Sequence, residues 1–250
     1  MIIPKFNGRL GNQLFQAATA YATAEKYGDK LVLWTDSEPI HEIFTYFERY
    51  VYRLPKDINV YTEPHWHYAP IECPWYNNQD NPDTLLCGYF QSLKHFELYL
   101  QDFVNALYFP TQIKGACNNA ANMLGKFVVL HARRGDYKNY PTIHPICHID
   151  YFQKALKYFP DHKVVVCTDS QQEFNAECYG KFDYMLSNGS PLQDLYLMGL
   201  SDGVIMSNSS FSWWGAIQNM QRTIIAPNLW FGSDGPQNYQ DIYCKEWIRI

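Results

Sequence analysis

The sequence predicts an α/β protein built around parallel β-sheets, and three observations lead to that class. A short apolar segment at residues 2–6 is followed by a glycine-bearing turn, a helical pattern and a second apolar segment at 31–34. Apolar segments and helical patterns then alternate through the second half of the chain. The apolar segments there are nearly continuous, which is typical of strands that are covered on both faces of a parallel sheet.

The first half of the chain begins like a doubly wound unit. Its helical pattern spans 12–27, with Asn12 as the predicted N-cap and Gly28 as the residue that ends the helix. Residues 60–83 are rich in proline and aromatic residues and predict a long loop, which in a compact domain tends to be functional. The elements that follow are a strand at 84–90 and a helix at 92–106.

The second half shows a more regular alternation. The predicted strands are 127–132, 163–168, 203–207 and 223–226, with a weaker one near 182–185, and the predicted helices are 149–159, 171–178, 191–201 and 210–220. Ser190-Pro191-Leu192-Gln193 is a capping box with proline at the first helical position. Both patterns are interrupted around 110–122, so we predict two domains, 1–115 and 116–250, with the last 25 residues folding back across the first domain.

Composition excludes some classes of function. The net charge of −5 argues against a general nucleic-acid-binding surface, so an anionic ligand would need a local cluster of arginines. The seven cysteines are odd in number and irregularly spaced, which favours free thiols in a reducing compartment. No apolar segment approaches the roughly 20 residues that cross a bilayer. We therefore expect a cytoplasmic protein, with at most a weak peripheral association with the inner membrane.

The strongest motif is a buried strand that ends in two arginines, Arg133 and Arg134. Ligands of open α/β sheets bind beyond the carboxyl ends of the strands, where either arginine could hold a diphosphate through paired hydrogen bonds. Gly135 would let the backbone approach such a ligand closely. The alternative is an Arg–Asp ion pair that ties down the strand end. An Arg134-Gly135-Asp136 adhesion tripeptide is a third reading, which a reducing compartment disfavours.

A second strand, at 203–207, runs into hydroxyl residues that open a helix. Ser209 and Ser210 could donate hydrogen bonds to phosphate oxygens at that helix start, whose N–H groups and dipole attract anions. Ordinary N-capping by serine is the alternative. Taken together, this strand end and the arginine strand end indicate one phosphate site.

The third motif is the turn Gly8-Arg9-Leu10-Gly11-Asn12-Gln13, which is neither a P-loop nor a dinucleotide fingerprint. A plain strand-to-helix turn is the alternative reading. Metal sites are poorly represented, because the chain has no Asp-x-Asp sequence. His65, His67 and Cys73 lack a fourth ligand at a suitable spacing for zinc, so we predict no metal.

These motifs together resemble the bacterial α-1,2-fucosyltransferases of glycosyltransferase family 11. The family pattern matches Gly8–Gln16, His131–Tyr137 and Asp194–Ala216, and the segments Gly88–Ser92 and Ile225–Phe231 are also similar. The resemblance implies a GT-B-like fold of two Rossmann-like domains facing a central cleft. It also implies GDP-fucose as donor, a galactose-containing oligosaccharide as acceptor, inversion at the anomeric carbon, and neither metal nor other cofactor.

The resemblance implies roles for individual residues in the donor site. Arg133 matches the arginine that holds the donor β-phosphate and acts in catalysis, His131 lies near the guanosine, and Asp194 reads guanine N1–H and N2–H. The phosphate-binding hydroxyls match Ser209 and Ser210, and Phe211 follows them in the donor site.

Other residues match the sugar and acceptor side of the family pattern. Arg9 and Asn12 belong to the turn that faces the sugar and the acceptor, with Arg9 in the donor site and Asn12 as a catalytic and acceptor-binding residue. Asp136 is a candidate catalytic base, and a donor phosphate oxygen is the alternative. The aromatic loop suggests Trp66, Trp75 and Tyr76 as acceptor-binding residues. The family's Ala/Ser-Asp-Asp segment appears here as Thr168-Asp169-Ser170, a departure that leaves the role of Asp169 open.

Two other functions are compatible with the sequence. A protein O-fucosyltransferase could share the arginine motif. A non-catalytic carbohydrate-binding protein would also account for the aromatic content of 17%.

Overall fold

The computed structural model of the chain describes residues 1–35, 39–49, 54, 56–76 and 82–250. The chain divides into two compact units. The first contains Met1–Tyr108 and Asn238–Cys244, and the second contains Phe109–Gln237 and Lys245–Ile250.

The division lies seven residues before the expected boundary between 115 and 116. That boundary falls inside helix Thr111–Leu124, so the interruption inferred at 110–122 is wrong. Gly115 and the two asparagines that suggested a break lie on the exposed side of this helix, where no packing requirement excludes them. The helix buries Cys117 instead.

The first unit is built on a parallel sheet in the order β1-β3-β2. Its strands are β1 (Ile2–Pro4), β2 (Asn59–Thr62) and β3 (Thr84–Cys87). Parallel bridges from Ile2 to Leu31 and from Lys5 to Trp34 place the predicted 31–34 segment beside β1. The α-helices are α1 (Leu10–Tyr27) and α2 (Leu100–Ala106), and single 3-10 turns lie at Glu42–Phe44, Leu93–His95, Glu97–Tyr99 and Gln240–Ile242.

Helix α1 begins two residues earlier than expected, and its N-cap is Arg9, not Asn12. Gly8 adopts a positive φ of 79° and turns the chain sharply, so that the buried residue Leu10 already lies in the helix. Gly28 ends the helix in the left-handed conformation, as predicted.

The single helix expected at 92–106 is divided into two 3-10 turns and α2. The break occurs at Phe96, whose φ of −142° is not helical. Its side chain is buried, with its ring 6.0 Å from that of Phe15 in α1. Burial of this aromatic ring therefore overrides local helical propensity.

The second unit contains a fully parallel sheet in the order β6-β5-β4-β7-β8-β9. Its strands are β4 (Phe127–Ala132), β5 (Lys163–Thr168), β6 (Met185–Leu186), β7 (Gly203–Ile205), β8 (Thr223–Ala226) and β9 (Ile248–Arg249). Its helices are α3 (Thr111–Leu124), α4 (Ile149–Leu156), α5 (Gln171–Cys178), α6 (Pro191–Leu200) and α7 (Ser210–Ile217), and a 3-10 turn follows β4 at Gly135–Asn139. The parallel α/β class predicted from the sequence is thus confirmed.

Strand order defines a switch point in this sheet. The chain proceeds outward from β4 through β5 to β6, and then returns to the other side of β4 to lay down β7, β8 and β9. The loops that follow β4 and β7 consequently diverge in opposite directions. The carboxyl ends of these two neighbouring strands form the place where open α/β sheets bind their ligands.

The structure also bears on the cysteines and on membrane insertion. All seven cysteines are free thiols. Among the helices described, none is long and apolar enough to cross a membrane.

Candidate active site

The arginine motif lies at the switch point of the second sheet. Strand β4 is buried along its whole length, and Leu130 pairs with Ile205 of β7. The residues after these two strands are therefore brought together, as the sequence predicted: Arg133 follows β4, and Ser209 and Ser210 follow β7. This juxtaposition makes the strand ends a candidate anion site.

Arg133 is largely buried but reaches the surface, with 14% of its side chain exposed. Its Nη1 lies 2.9 Å from Oδ2 of Asp169, and its Nη2 pairs with Asp136. The guanidinium also lies 5.2 Å from the centroid of the Tyr137 ring. Two carboxylates and an aromatic face thus fix the orientation of this cation at the strand end.

Arg134 has a different role, which spacing alone could not distinguish. Its side chain is buried, and it donates from Nη1 to the carbonyl oxygen of Cys147 at 2.7 Å. Its Nη2 lies 2.7 Å from Oε2 of Glu177. The Arg–Asp ion pair considered as the alternative is present at Arg133, which pairs with Asp136 and Asp169. Arg134 ties the strand end to the core through Cys147 and Glu177, so Arg133 is the one of the two that is placed to meet a ligand.

The close backbone approach predicted at Gly135 serves Asp169 within the protein. Gly135 has a φ of +20°, and a Cβ atom there would lie 2.3 Å from Oδ2 of Asp169. The same carboxylate accepts the backbone N–H of Arg134 at 2.8 Å. Asp169, whose role the sequence left open, therefore binds both the backbone N–H of Arg134 and the side chain of Arg133.

His131 lies inside the site and not at its surface. It is buried, and its Nδ1 is 2.8 Å from the hydroxyl oxygen of Ser207. Burial, reinforced by the positive charge of Arg133, lowers the pKa of His131 to about 3. The imidazole is accordingly neutral near pH 7, and its ring lies 5.4 Å from the ring of Phe211.

The two predicted serines also differ. Ser209 is buried and is the N-cap of α7, because its Oγ accepts the backbone N–H of Phe211 at 3.3 Å. The capping alternative thus applies to Ser209. Ser210 is the first residue of the helix and is half-buried, and its hydroxyl makes no hydrogen bond within the described residues. Ser210 is the better placed of the two to meet an anion.

Asp194 lies in the first turn of α6, whose predicted capping box at Ser190 is present. The hydroxyl of Ser187 donates to Oδ1 of Asp194. Burial raises the pKa of Asp194, and hydrogen bonds from Ser187 and Cys167 partly oppose that effect. Cys167 pairs in register with His131, so Asp194 belongs to the same carboxyl edge of the sheet.

The first unit presents Arg9 and Asn12 at the start of α1. Arg9 is exposed, whereas the Oδ1 atom of Asn12 accepts a hydrogen bond from Nε2 of Gln91 at 2.9 Å. A Cβ atom on Gly8 would lie 2.5 Å from Nδ2 of Asn12. The glycine therefore makes room for the asparagine side chain, which packs over the turn and does not cap it.

The three aromatic residues proposed for the acceptor are not equivalent. Trp75 donates from Nε1 to the Thr84 hydroxyl at 2.8 Å, and the Tyr76 hydroxyl donates to Asp29 at 2.8 Å. Both pack against the core of the first unit. Trp66, by contrast, lines a surface cavity in that unit. Trp75 and Tyr76 are thus structural residues, and Trp66 alone stays a candidate for ligand contact.

The same cavity contains a residue that sequence reasoning missed, Glu63. Its carboxylate accepts the backbone N–H groups of Tyr89 and Phe90, which lie far away along the chain. The glycine of the Gly88-Tyr89-Phe90 segment is the signal that could have pointed to it. A Cβ on Gly88 would lie 2.6 Å from Oε2 of Glu63.

No cluster of three or more His, Cys, Asp or Glu side chains in the described residues could hold a metal ion. His65 and His67, considered above for zinc, stack on each other with ring centroids 4.7 Å apart.

Comparison with known proteins gives a family and two relatives that align along nearly the whole chain. The model of glycosyl transferase family 11 matches residues 58–250. The O-antigen biosynthesis glycosyltransferase WbnK of Escherichia coli is 23% identical, with 98% of each chain covered. An α-1,2-colitosyltransferase of Escherichia coli is 24% identical, and the alignment covers 100% of this chain and 99% of the relative.

A solved structure shows the same architecture. The fucosyltransferase NodZ from Bradyrhizobium aligns with a TM-score of 0.56 over 94% of this chain and 95% of its own, at 17% identity. At this identity the likeness establishes the fold, which is the GT-B type with two Rossmann-like α/β units. NodZ α-1,6-fucosyltransferase has also been solved from crystals soaked with GDP-fucose.

Proposed function

This chain belongs to glycosyltransferase family 11, and from that premise we propose that it transfers fucose from GDP-fucose to O2 of a terminal galactoside. The transfer inverts the anomeric carbon and requires neither a metal ion nor another cofactor. The observation that carries the proposal is the position of Arg133 beside the start of α7, at the switch point of the second sheet. The α-1,2-colitosyltransferase among the relatives supports the proposed α-1,2 linkage. The NodZ crystal soaked with GDP-fucose supports the proposed donor.

The proposed chemistry centres on the leaving diphosphate. Breaking the bond between fucose and phosphate leaves negative charge on GDP and positive charge on the sugar ring. Arg133 would stabilise the β-phosphate through paired, charge-assisted hydrogen bonds, and Ser210 and the N-terminus of α7 would add further donors. Because these groups are already oriented, they need little reorganisation when the charge develops.

A diphosphate would have to compete with the carboxylates that now hold Arg133. The Asp136 side chain is 49% exposed, so this pair is partly screened by water and costs little to separate. The Asp169 contact is less exposed and is anchored to the backbone of Arg134. We infer that Asp169 continues to orient Arg133 when the donor binds, whereas Asp136 moves aside or contacts the sugar.

Recognition of the base would fall to Asp194. A carboxylate has acceptor oxygens that match the N1–H and N2–H donors of guanine, a pair that uracil cannot present. The Ser187 hydroxyl occupies one acceptor position and fixes the carboxylate orientation. His131, neutral and buried, would line the nucleoside side of the pocket together with Phe211.

The acceptor hydroxyl would attack from the face opposite the diphosphate, which accounts for inversion. Its proton could pass to Asp136 or to a donor phosphate oxygen. Asp136 pairs with Arg133 in this structure and would be released when the diphosphate takes its place, so both routes stay open.

The deciding experiment is a transfer assay with GDP-fucose and a panel of β-galactosides, with the product linkage determined by NMR. We expect an α-1,2-linked fucose on galactose and undiminished turnover in EDTA. Loss of turnover in EDTA would overturn the metal-free mechanism, and another linkage would overturn the acceptor assignment.

The transfer assay and a thermal-shift measurement with GDP separate the two alternative functions. A protein O-fucosyltransferase would modify a folded protein acceptor and leave lactose untouched. A non-catalytic carbohydrate-binding protein would show no rise in melting temperature with GDP, whereas the proposed enzyme should be stabilised by GDP binding.

A further inference from the structure

The first unit contains a cavity of about 580 Å³ that the donor chemistry does not use. Its walls come from three segments, Lys5–Asn7, Thr62–Trp66 and Cys87–Tyr89. Each segment lies at the carboxyl end of one parallel strand. The first follows β1, and the other two begin with the last residues of β2 and β3. The cavity therefore lies at the carboxyl edge of the first sheet, where ligands of parallel α/β sheets bind.

A carboxylate without a counter-ion projects into this region. Among the described residues, Glu63 makes no ion pair and is held instead by backbone groups. Its Oε2 accepts the N–H of Tyr89 at 2.7 Å, and the N–H of Phe90 lies 3.1 Å from Oε1 and 3.0 Å from Oε2. A carboxylate has about four acceptor positions, so Glu63 keeps capacity for hydroxyl donors of a ligand.

The backbone that holds Glu63 is strained. Phe90 has a φ of +51° and is the only residue other than glycine with a positive φ in the part of the chain that the structure describes. Its side chain is fully buried, which fixes the loop in that conformation. Strain of this kind tends to occur where a site must be preorganised.

An aromatic surface lies beside the carboxylate. The rings of Trp66 and Tyr89 stack with centroids 5.1 Å apart and planes inclined by 19°, and 39% of Trp66 is exposed. The Tyr89 hydroxyl accepts a hydrogen bond from Nδ2 of Asn7 at 3.1 Å, which fixes the second ring. A rigid aromatic pair next to an oriented acceptor suits a ligand with one apolar face and several hydroxyl groups.

We propose that this cavity binds the terminal galactoside of the acceptor, with Trp66 against the apolar face of the sugar and Glu63 accepting hydrogen bonds from its hydroxyls. The axial O4 of galactose leaves the opposite face, formed by C3, C4, C5 and C6, apolar enough to stack on an aromatic ring. The inference rests on the proposed function for the identity of the sugar. The cavity itself rests on the geometry of the first unit alone.

The test compares Trp66→Ala and Glu63→Gln with wild type by two separate measurements. We expect the KM for lactose to rise about tenfold or more in each variant, the loss of a contact worth roughly one factor of ten in affinity. The GDP-induced rise in melting temperature should be unchanged, because GDP is assigned to the second unit. Matched controls are Tyr46→Ala and Glu72→Gln, exposed residues of the same unit that do not line the cavity.

Ligand-observed NMR of lactose with the unreacted protein provides the second measurement. Signal transfer to lactose in wild type and its loss in Trp66→Ala would support the cavity even if no fucose were transferred, in which case only the proposed function would fail. Unchanged lactose binding and KM in both variants would overturn the inference while leaving the transferase assignment intact. Because Trp66 is exposed, its replacement tests the site even if Glu63→Gln fails to fold.

Discussion

The Nδ1 atom of His131 and the Oγ atom of Ser207 lie 2.8 Å apart, and this contact joins the ends of two neighbouring strands, β4 and β7. Both residues are buried. The contact fixes the spacing between the strand end that carries Arg133 and the helix start that carries Ser210. A neutral imidazole is part of this junction, which makes the second unit sensitive to acid.

The free energy of unfolding should therefore decrease as the pH is lowered, because His131 is held neutral in the folded chain. Its pKa is about 3 in the folded chain and near 6.5 when unfolded, so the unfolded state takes up the proton first. This contribution is complete above pH 6.5 and is lost progressively as the pH falls toward 3, at up to about 1.4 kcal/mol per pH unit. In urea unfolding at pH 7, 6, 5 and 4, His131→Gln should show a shallower loss than wild type. Parallel profiles would refute the prediction.

Replacing each of the adjacent arginines should give opposite results. Arg133→Ala should abolish transfer and weaken GDP binding while the protein stays folded, because the side chain reaches the surface and its partners can be hydrated. Arg134→Ala should lower the free energy of unfolding by about 1–3 kcal/mol, since it leaves the buried carbonyl oxygen of Cys147 and the partly buried carboxylate of Glu177 without their partner. Unfolding curves and turnover of the two variants form the comparison. Normal turnover in Arg133→Ala would be incompatible with its assigned role.

Gly135→Ala should damage activity, whereas Gly180→Ala should not. Both glycines have a positive φ, but only at Gly135 would a new Cβ meet another group, Oδ2 of Asp169 at 2.3 Å. Displacing Asp169 would release Arg133 from its orientation, so kcat should fall while GDP still binds. Gly180 has nothing within 4 Å, and its variant serves as the control for backbone strain alone. Equal effects of the two changes would show that Asp169 does not orient Arg133.

Asp194→Ala should reduce the preference for guanine. Two hydrogen bonds to a charged group contribute about 1.5–3 kcal/mol each, so GDP affinity should fall by roughly a hundredfold or more. Affinity for UDP, which cannot make these bonds, should change little. Calorimetric titration with both nucleotides measures the ratio. A uniform loss for both would indicate that Asp194 only supports the fold through Ser187.

Asp136→Asn distinguishes the two routes for the acceptor proton. If a phosphate oxygen takes the proton, the amide should preserve most of the turnover, within about tenfold of wild type. If Asp136 is the general base, loss of turnover should approach the 10²–10⁴-fold typical of such groups. Steady-state kcat with saturating lactose is the measurement, and a loss beyond a hundredfold would reject the phosphate route.

Local patterns were enough to predict much of the second unit. The apolar runs of β4 and β5 and the capping box at Ser190 depend on neighbours within a few residues, and the structure has them as expected. The meeting of Arg133 with the serine-led helix was also predictable, because parallel strands bring their carboxyl ends to one edge.

Direction of side chains could not be predicted in the same way. Arg133 and Arg134 are adjacent in sequence, yet one faces the site and the other the core, and the difference depends on Asp169 and Glu177 far along the chain. Trp75 and Trp66 lie in the same aromatic loop of the sequence, but the indole N–H of Trp75 donates to the hydroxyl of Thr84, which keeps its ring against the core. Long-range partners of this kind leave no local trace in the sequence.

The path of the chain between residues 237 and 250 has a consequence for how such enzymes can be recombined. The segment Asn238–Cys244 belongs to the first unit, where Asp241 accepts the N–H of Tyr68 at 3.0 Å, and the edge strand β9 of the second unit follows it. A chimera with a single crossover at residue 108 would combine the first unit of one parent with the segment 238–244 of the other, including the residue at position 241. A chimera of two family members therefore needs three matched junctions, so acceptor and donor preferences are not inherited as simple interchangeable modules.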